Sequence, residues 1–365
     1  MKTFSYYALV NRSKALGVTK KIGGTVDAAK KLGLAATSQI FPTSASGICR
    51  IVISILRQKP DILFVRFSDL AFPFIFFAIL VARIRGQKVI IDVPTPRVIA
   101  LKEFNAAVKN PLSRTLRKLW TCLSGPWVLY PAHKIIQYAD ESLWFSWGTL
   151  HKTVKVGNGV NIDKDLPLTK SFWPDSELRL IAVAQLASWH GYDRLINALA
   201  LLKAIHPEFK VKCVIVGAGE ELASLQSMVS KEGLKEQVTF AGMLTGNALD
   251  EVFEHAHVGV SSLCLYRKNV EEASDLKTRE YMARGLPVLG VGKDPDIDDN
   301  SPFRFLVRNN NDAKELAERI YEFSMIELPR SADIRDFAEE RLSLEGKLRS
   351  ILGDWHVPKA IEKNE

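Results

Sequence analysis

The sequence predicts an α/β protein of two domains with parallel sheets. Apolar runs of strand length alternate with helical stretches along the chain, at Ile62–Arg66, Lys88–Val93, Lys134–Tyr138, Leu180–Ala184, Lys212–Val216, Val258–Ser262 and Pro287–Val291. This alternation is typical of parallel sheets that carry helices on both faces. The chain has 365 residues, 47% of them hydrophobic, which is enough for two domains of ordinary size and their cores.

Two stretches of the first half are rich in hydrophobic side chains outside these strands. The apolar run Leu70–Ala82 has thirteen residues. A helix that crosses a bilayer needs roughly 20, so we predict a buried helix between two strands. In Asn110–Pro131, Arg114, Arg117 and Lys118 alternate with leucines and tryptophans. That composition predicts a helix lying on an anionic membrane surface, and a buried helix with one solvated face is the alternative.

The net charge of +8 is unevenly distributed. Residues 1–165 hold 24 Lys and Arg against 9 Asp and Glu, whereas the remaining residues hold 25 against 32. A basic half suggests an anionic membrane or nucleic acid, but no nucleic-acid-binding signature accompanies it, so we expect no nucleic acid.

The N-terminal residues show no cleavable signal, and we expect a cytoplasmic protein, peripheral at the inner face of the plasma membrane. Four scattered cysteines without Cys-x-x-Cys spacing predict neither a disulfide nor a metal site.

The segment Glu271–Val291 reads as a loop, a short helix and a buried strand. Ser274 is the predicted N-cap of a helix over Asp275–Arg284, and a glycine and a proline follow its end. The free backbone N–H groups and the positive dipole end of a helix form an anion site. Lys277 adds a positive charge in the first turn, so we predict that a phosphate binds there.

Two glutamates, Glu272 and Glu280, are separated by seven residues around this helix start. Glu280, within the first two turns, is placed to reach a ribose diol. Glu272, in the preceding loop, is placed to reach hydroxyls on the group that the phosphate carries, and a solvated charge is its alternative role. Phosphate, ribose and sugar are the parts of a nucleotide sugar, which is therefore the predicted ligand.

The Glu-seven residues-Glu spacing followed by Gly-Leu-Pro-Val resembles the motif of the retaining glycosyltransferases of the GT-B fold, a large family that includes many bacterial polysaccharide-assembly enzymes. Other segments resemble the same family, the first three of them as loops of its acceptor domain: Leu16–Ile22, Ile62–Asp69, Ile90–Pro96, Val156–Asp163, Leu180–Leu199, Val214–Leu225 and Val238–Leu244. The resemblance implies two Rossmann-like domains, 1–165 for the acceptor and 166–330 for the donor. In the last part, 331–365, a helix over Ile334–Leu352 is expected to cross back to the first domain and to precede a polar tail.

The resemblance also implies a reaction. A sugar passes from a nucleoside diphosphate sugar to an acceptor hydroxyl with retention of anomeric configuration, in cell-surface polysaccharide or glycolipid assembly. The acceptor is then a saccharide or a lipid-linked saccharide. We expect no cofactor and no metal ion, because Asp294-Pro295-Asp296 predicts a turn and no other Asp-x-Asp motif lies on a suitable loop. A nucleotide-sugar epimerase and a non-catalytic sugar-nucleotide-binding protein are the alternatives.

By this resemblance the site residues fall into three groups. The catalytic residues are Glu272, Lys277 and Asp92, the donor-binding residues are Glu280, His190, Gln185, Gly217, Gly219, Arg194, Leu276 and Thr278, and the residues on the acceptor side are Arg66, Thr95, Lys21 and Gly23. Gln185 and His190 stand where the family commonly has an arginine and a lysine. Lys277 is therefore expected to neutralise the diphosphate, with Arg66 or Arg194 as contributors and His190 as a pH-dependent assistant. Asp92 stands where the family often has a histidine, which leaves the catalytic base unassigned and the capping of a turn as an alternative role.

Overall fold

The computed structural model describes residues 1–11, 16–108, 110–163, 166–169, 177–353 and 355. The chain divides into two compact units, of which unit 1 comprises Met1–Val156 and Leu344–Glu365, and unit 2 comprises Gly157–Ser343. These limits differ from the predicted domain limits at residues 165 and 330. The polar tail predicted after Trp355 lies outside the described residues.

Unit 1 is built on a parallel sheet. Its strands are β1 (Thr3–Leu9), β2 (Ala35–Phe41), β3 (Ile62–Arg66), β4 (Lys88–Val93), β5 (Lys134–Gln137) and β6 (Thr153–Lys155), and its helices up to that point are α1 (Leu16–Lys31), α2 (Ala45–Arg57), α3 (Phe72–Ile84), α4 (Arg97–Ala107), α5 (Pro111–Ser124) and α6 (Leu143–Ser146). The strand order is β2-β1-β3-β4-β5-β6, and each neighbouring pair is parallel. The strand order changes direction between β1 and β3, the position at which such sheets form ligand crevices.

Unit 2 is built on a second parallel sheet. Its strands are β7 (Leu178–Val183), β8 (Val211–Val216), β9 (Val238–Gly242), β10 (Val258–Val260), β11 (Val288–Gly290) and β12 (Arg304–Leu306), and its helices are α7 (Tyr192–Ile205), α8 (Leu222–Lys231), α9 (Asn247–Glu254), α10 (Leu276–Ala283), α11 (Ala313–Glu322) and α12 (Ser331–Phe337). The strand order is β12-β11-β10-β7-β8-β9, which is the doubly wound order of Rossmann folds. The switch point of unit 2 therefore lies between β7 and β10.

Both faces of each sheet are buried. In β3, Leu63 belongs to the core on one face and Phe64 to the core on the other, and in β7 Leu180 and Ile181 are divided in the same way. Successive strand residues point to opposite faces, so a strand covered on both sides reads as a continuous apolar run. The α/β fold class predicted from such runs is confirmed.

The predicted C-terminal helix over Ile334–Leu352 is divided in the structure. Helix α12 ends at Phe337, a π-helical turn spans Ala338–Leu342, and α13 (Leu344–Leu352) follows. Of these segments only α13 belongs to unit 1, where it packs against α1.

Two other predictions for unit 1 are corrected. Leu16–Ile22 resembled a loop of the acceptor domain. In the structure it is the first part of α1, which continues to Lys31. The run Leu70–Ala82 is not buried on all sides, since Phe74 and Phe77 on the outer face of α3 are exposed. Among the described residues, no helix is long and apolar enough to cross a membrane.

Candidate functional site

The switch point of unit 2 brings two loops together. After β7 the chain forms a 3-10 turn over Ser188–His190, and after β10 it enters the loop that contains Leu263 and Cys264. The amide of Leu263 donates to the His190 carbonyl at 2.9 Å, and the amide of Cys264 donates to the Trp189 carbonyl at 3.3 Å. These two backbone hydrogen bonds fix the 3-10 turn beside the end of β10.

Helix α10 starts beside the same loops. Asp275 is its N-cap residue and makes no side-chain hydrogen bond to the helix. Asp275 Oδ2 instead accepts from the hydroxyl of Ser262 at 2.7 Å and from that of Ser261 at 3.2 Å. Ser274, the predicted N-cap, accepts from the amide of Asn158 at 2.5 Å, so it holds a turn and does not cap the helix. The first amides of α10 therefore receive no cap from Asp275 or Ser274.

Lys277 lies in the first turn of α10. Its ammonium is buried, is 3.9 Å from Asp275 Oδ2, and finds no hydrogen-bond acceptor among the residues that the structure describes. Burial lowers the pKa of Lys277 to about 8, although Asp275 acts in the opposite direction. Burial also raises the pKa of Asp275, but Lys277 and the two serine hydroxyls outweigh it, so that this pKa lies below its usual value. An anion bound beside Lys277 would accept a hydrogen bond from this ammonium, which is already shielded from water.

His190 is not a cation at neutral pH in the free protein. Burial, followed by the neighbouring charge of Lys277, lowers the pKa of His190 to about 4. Its Nδ1 accepts a hydrogen bond from the amide of Ala187 at 3.3 Å. The remaining ring nitrogen, Nε2, then carries the proton and is a donor. In the free protein His190 is therefore a neutral donor at the site, and its role as a pH-dependent assistant beside a bound diphosphate stays a prediction.

A cavity of about 560 Å³ lies at the carboxyl ends of β7, β8 and β9. It is lined by Val183, Ala184, Gln185, Val216, Gly217, Ala218, Gly219, Met243 and Leu244. Three of the predicted donor-binding residues, Gln185, Gly217 and Gly219, are therefore brought together in one place. The lining is largely apolar apart from backbone groups and the Gln185 amide, which suits a flat, mostly uncharged part of a ligand.

The two glycines of this cavity also have a packing role. Gly217 has φ of +127°, and a Cβ there would lie 1.8 Å from the Ala184 carbonyl oxygen. A Cβ on Gly219 would lie 2.1 Å from the Leu186 carbonyl oxygen. Both positions require glycine because the loops after β7 and β8 touch through their backbones.

The two glutamates of the spacing motif flank the start of α10. Glu272 forms a parallel backbone bridge with Lys293, which fixes the loop before the helix beside the segment after β11. Glu280 is exposed in the second turn of α10. Leu276, also assigned to the donor, is 53% exposed at the helix start, whereas the buried Thr278 hydroxyl is 2.9 Å from that of Ser261. Leu276 would therefore contact a donor through its backbone. Thr278 contacts Ser261 and so helps to hold the loop after β10.

Arg194 was predicted to contribute to the donor site, and its surroundings contradict this. Its guanidinium is buried and donates to the carbonyl oxygens of Leu263, Arg308 and Asp312 at 2.9 to 3.0 Å. Its remaining nitrogen, Nη2, lies 3.6 Å from the Glu315 carboxylate, so the charge of this guanidinium is already opposed by an acidic side chain of its own unit. Arg194 therefore joins α7 to the loops around it.

The predicted turn Asp294-Pro295-Asp296 is held by a buried arginine. Arg279 of α10 donates to both carboxylates, at 2.7 Å to Asp294 Oδ1 and 2.7 Å to Asp296 Oδ2. Its Nε donates to the carbonyl of Asn158 at 3.1 Å. This ion cluster fixes α10, and with it Lys277, relative to the loop after β11.

In unit 1 the predicted residues gather at the carboxyl ends of β3 and β4. Asp92 is 1% exposed, and its Oδ2 accepts from the Tyr6 hydroxyl at 2.5 Å and from Arg66 at 2.9 Å. Asp92 Oδ2 thus holds Arg66 and Tyr6, whereas Oδ1 is buried without a hydrogen-bond partner among the described residues, and a catalytic role for Asp92 stays a prediction. Lys21 lies over the ring of Tyr138 at 3.7 Å from the ring centroid.

Lys21 is the basic member of this cluster whose pKa is lowered toward neutral pH. Burial lowers its pKa to about 8, with Asp92 opposing and Arg66 adding to the shift. Thr95 is half-buried in the loop between β4 and α4, and Gly23 lies in α1 with open space where a Cβ would project. The structure thus places Lys21 with Arg66 around Asp92, and the acceptor-side roles of Thr95 and Gly23 stay predictions.

Within the described ranges, no group of three or more His, Cys, Asp and Glu side chains is arranged to hold a metal ion. The sequence did not point to Ser261, Ser262, Asp275 or Tyr6 as site residues. The two serines had a visible signal, because they are polar residues that follow directly on an apolar strand. Tyr6 had none, since it lies within a strand and reaches Asp92 only through the fold.

The second unit has a match among protein families. Residues 177–324 match the family model described as glycosyl transferases group 1. An uncharacterized glycosyltransferase of Haemophilus influenzae is 23% identical over 229 residues. This match covers 62% of the present chain and 57% of the relative, so the chain spans little more than half of that relative's length.

Solved structures show the same fold along the chain. A glycosyltransferase from Rickettsia africae has a TM-score of 0.63 at 16% identity, with 100% of both chains covered. The Anabaena protein HepE, solved in complex with UDP, has a TM-score of 0.61 at 16% identity, with 97% of this chain and 100% of that chain covered. At this identity the likeness shows the fold, which is the GT-B fold that the sequence predicted.

Proposed function

We propose that this chain is a glycosyltransferase that moves a sugar from a nucleoside diphosphate sugar to an acceptor hydroxyl with retention of configuration. The buried ammonium of Lys277 at the start of α10 carries this proposal. It lies at the switch point of the unit that matches the glycosyl transferases group 1 model, beside helix amides that Asp275 does not cap. A cation that has no acceptor among the described residues, at a helix start that Asp275 does not cap, forms a site for a diphosphate.

The chemistry proposed for unit 2 is electrostatic. As the bond between the sugar and the diphosphate breaks, negative charge grows on the diphosphate, and Lys277 with the α10 amides stabilises it. The neutral His190 adds an Nε2–H donor. Retention follows if the acceptor attacks the face that the diphosphate leaves, with the departing diphosphate helping to take the acceptor proton. Because Lys277 supplies the positive charge, we propose that the reaction requires no metal ion.

UDP is the first nucleotide to test as the donor's carrier. The similar HepE protein was solved with UDP, and the apolar cavity beside Gln185 suits a nucleobase. Glu280 would then bind the ribose, and Glu272 the sugar. Both assignments follow from the spacing motif together with the positions of the two glutamates around α10.

The proposed acceptor is a saccharide or a lipid-linked saccharide in cell-surface polysaccharide or glycolipid assembly. Residues 1–165 carry 24 basic against 9 acidic side chains, and this excess supports an anionic membrane, at its cytoplasmic face, as the partner of unit 1. Lys21 and Arg66 at the carboxyl ends of the unit 1 strands are the cations proposed for the acceptor side.

A panel of nucleoside diphosphates and nucleotide sugars, scored by thermal stabilisation, tests the donor site. A ligand at 100 times its dissociation constant adds about 2.7 kcal/mol to the unfolding free energy, which is a readily measured shift. The best donor is then incubated with and without saccharide acceptors, and the products are analysed. Transfer to an acceptor supports the proposal. If no nucleotide sugar stabilises the protein, or if the donor is epimerised without an acceptor, the proposal is wrong.

A further inference from the structure

Helix α5 presents its leucines to solvent and its small polar residues to the protein. Leu116, Leu119 and Leu123 are 58%, 53% and 75% exposed, whereas Thr121 and Ser124 are buried. An amphipathic helix that packs on its own core does the opposite and buries its apolar stripe. The leucine stripe of α5 is therefore left uncovered by the residues that the structure describes.

Helix α3 continues this apolar surface. Its inner face is buried, but Phe74 and Phe77 are 57% and 71% exposed on the outer face. The ring of Phe74 stacks on that of Trp120 in α5, with centroids 5.7 Å apart. The two helices thus share one surface, which we call the α3–α5 face and define by Phe74, Phe77, Leu116, Leu119 and Leu123.

Exposed aromatic rings lie farther along the same unit. Trp144 and Trp147 are 55% and 66% exposed and stack on each other with centroids 6.5 Å apart. Gly148 follows these tryptophans in the chain and packs close to the ring of Tyr130. Tyr130 is itself 42% exposed. Tryptophan and tyrosine are the side chains that favour the boundary between lipid headgroups and acyl chains, because each has an apolar body and a polar edge.

The charge around the α3–α5 face favours one occupant. The segment 111–134 contains no acidic residue, and Arg114, Arg117 and Lys118 lie on α5 itself. A second copy of the chain would bring an equally basic surface against this one, which is electrostatically unfavourable. An anionic lipid bilayer offers both the negative headgroups and the apolar interior that this combination requires.

We propose that the α3–α5 face inserts into the acyl boundary of an anionic membrane, with Trp144 and Trp147 at the level of the headgroups. The inference rests on the membrane partner proposed for unit 1 and adds the surface that enters the lipid. Insertion into the acyl region has a consequence for salt dependence that charge attraction alone does not have. Salt screens exposed charges, whereas the burial of leucine and phenylalanine in lipid is insensitive to screening, so part of the binding must survive at high salt.

The test uses the full chain and vesicles of phosphatidylcholine with 30% phosphatidylglycerol, by co-sedimentation at 0.1 and 0.5 M NaCl. We expect the parent protein to retain binding at 0.5 M NaCl, and the variant L116S/L119S/L123S to bind roughly a hundredfold more weakly at both salt concentrations. Ile205→Ser is the matched control, because Ile205 is 59% exposed on α7 in unit 2 and should leave vesicle binding unchanged. Since all four side chains are exposed, the variants should fold, which far-ultraviolet circular dichroism verifies.

Three outcomes overturn the inference. One is that the parent loses its vesicle binding at 0.5 M NaCl, and another is that the triple serine variant binds vesicles as the parent does. The third is that the parent fails to bind vesicles. If the parent is then a dimer that the triple serine substitution dissociates, the α3–α5 face is a dimer interface. If the parent is then a monomer, the face binds another protein. UDP titration of the same samples separates this inference from the proposed function. If the parent protein binds UDP but not vesicles, only the membrane surface is refuted. If the parent binds vesicles but transfers no sugar to any acceptor, only the proposed enzymatic function is refuted.

Discussion

The ammonium of Lys277 is held where burial opposes its charge. A buried cation without an acceptor costs free energy in the unliganded protein, and an anionic ligand removes that cost. We expect Lys277→Met to lower the affinity for UDP ten- to a hundredfold, roughly the 1.5–3 kcal/mol of a charge-assisted contact. Calorimetric titration measures it. Lys314→Met is the matched control, because Lys314 is 75% exposed in the same unit. Normal UDP affinity in the Lys277 variant would place the diphosphate elsewhere.

The pKa of Lys277 gives the same assignment a pH dependence. The pKa of about 8 means that the free protein holds this proton below pH 8 and loses it above. An anion prefers the charged form, so the affinity for UDP gained from Lys277 is full below pH 8 and falls as the pH rises through that value. We therefore expect the affinity ratio of the parent to Lys277→Met to shrink between pH 7 and pH 9.5. Taking the ratio cancels the titration of UDP itself, and a constant ratio would contradict the assignment.

Glu272 and Glu280 are expected to differ in what they lose on substitution. Glu280 is proposed to bind the ribose and Glu272 the sugar, which is absent from UDP. Glu280→Ala should therefore weaken UDP binding about tenfold, whereas Glu272→Ala should leave UDP affinity nearly unchanged and lower turnover. Titration of UDP and steady-state kinetics on each variant distinguish the two. An equal loss of UDP affinity in both would refute the division of roles.

At the residue scale, the sequence predicts position best where the position follows from local spacing. Lys277 and the two glutamates are placed by their position around one helix start, which the sequence displays directly. It predicts least where the role depends on distant partners. Arg194 looks like any other cation in a loop-to-helix segment, and only the fold shows that its Nε and Nη1 donate to three carbonyl groups. Asp92 Oδ2 likewise accepts from Tyr6, which lies 86 residues away.

At the scale of elements, the contact between the loops after β7 and β8 limits what Gly217 can become. Gly217→Ala puts a Cβ 1.8 Å from the Ala184 carbonyl at φ of +127°. We expect it to destabilise unit 2 by about 2–4 kcal/mol and to weaken UDP binding, because the cavity beside Gln185 is shaped by that contact. Urea unfolding measures the change.

Gly23→Ala is the matched control for that experiment. Gly23 lies inside α1, and a Cβ there meets nothing within 4 Å. Alanine in a helix interior is favoured over glycine by about 0.5–1 kcal/mol, so this variant should be slightly more stable than the parent. Equal effects of the two substitutions would show that backbone approach at Gly217 is not the determining factor.

Helix α5 shows why element prediction from sequence stops short. Its apolar and basic residues alternate with helical spacing, and the structure has a helix there. Periodicity reveals that a helix has two faces, but not which of them meets the protein. The packing of Thr121 and Ser124 against unit 1 decides that, and it depends on residues of other elements.

At the scale of the whole molecule, unit 1 depends on the end of the chain. Leu348, Ile351 and Leu352 of α13 are buried in its core, and Lys134 donates to the Ile351 carbonyl at 2.6 Å. A chain that ends at Ser343 should lose several kcal/mol of stability in unit 1, since three large apolar side chains are missing, while unit 2 keeps its UDP site. Calorimetric unfolding and UDP titration test this. A chain that ends at Trp355 retains α13 and is the control, and equal stability of both chains would contradict the dependence.

The return of α13 to unit 1 sets an order of events during synthesis on the ribosome. Domains generally fold as units as they emerge, the first in sequence first. Here the last strand-bearing unit, Gly157–Ser343, is complete before Leu344 is added, whereas unit 1 lacks a part of its core until then. Unit 1, although first in sequence, therefore cannot complete its core until the whole of unit 2 has been synthesised. The nascent chain exposes the unfilled core of unit 1 throughout that interval, and it is there that a chaperone would find its binding site.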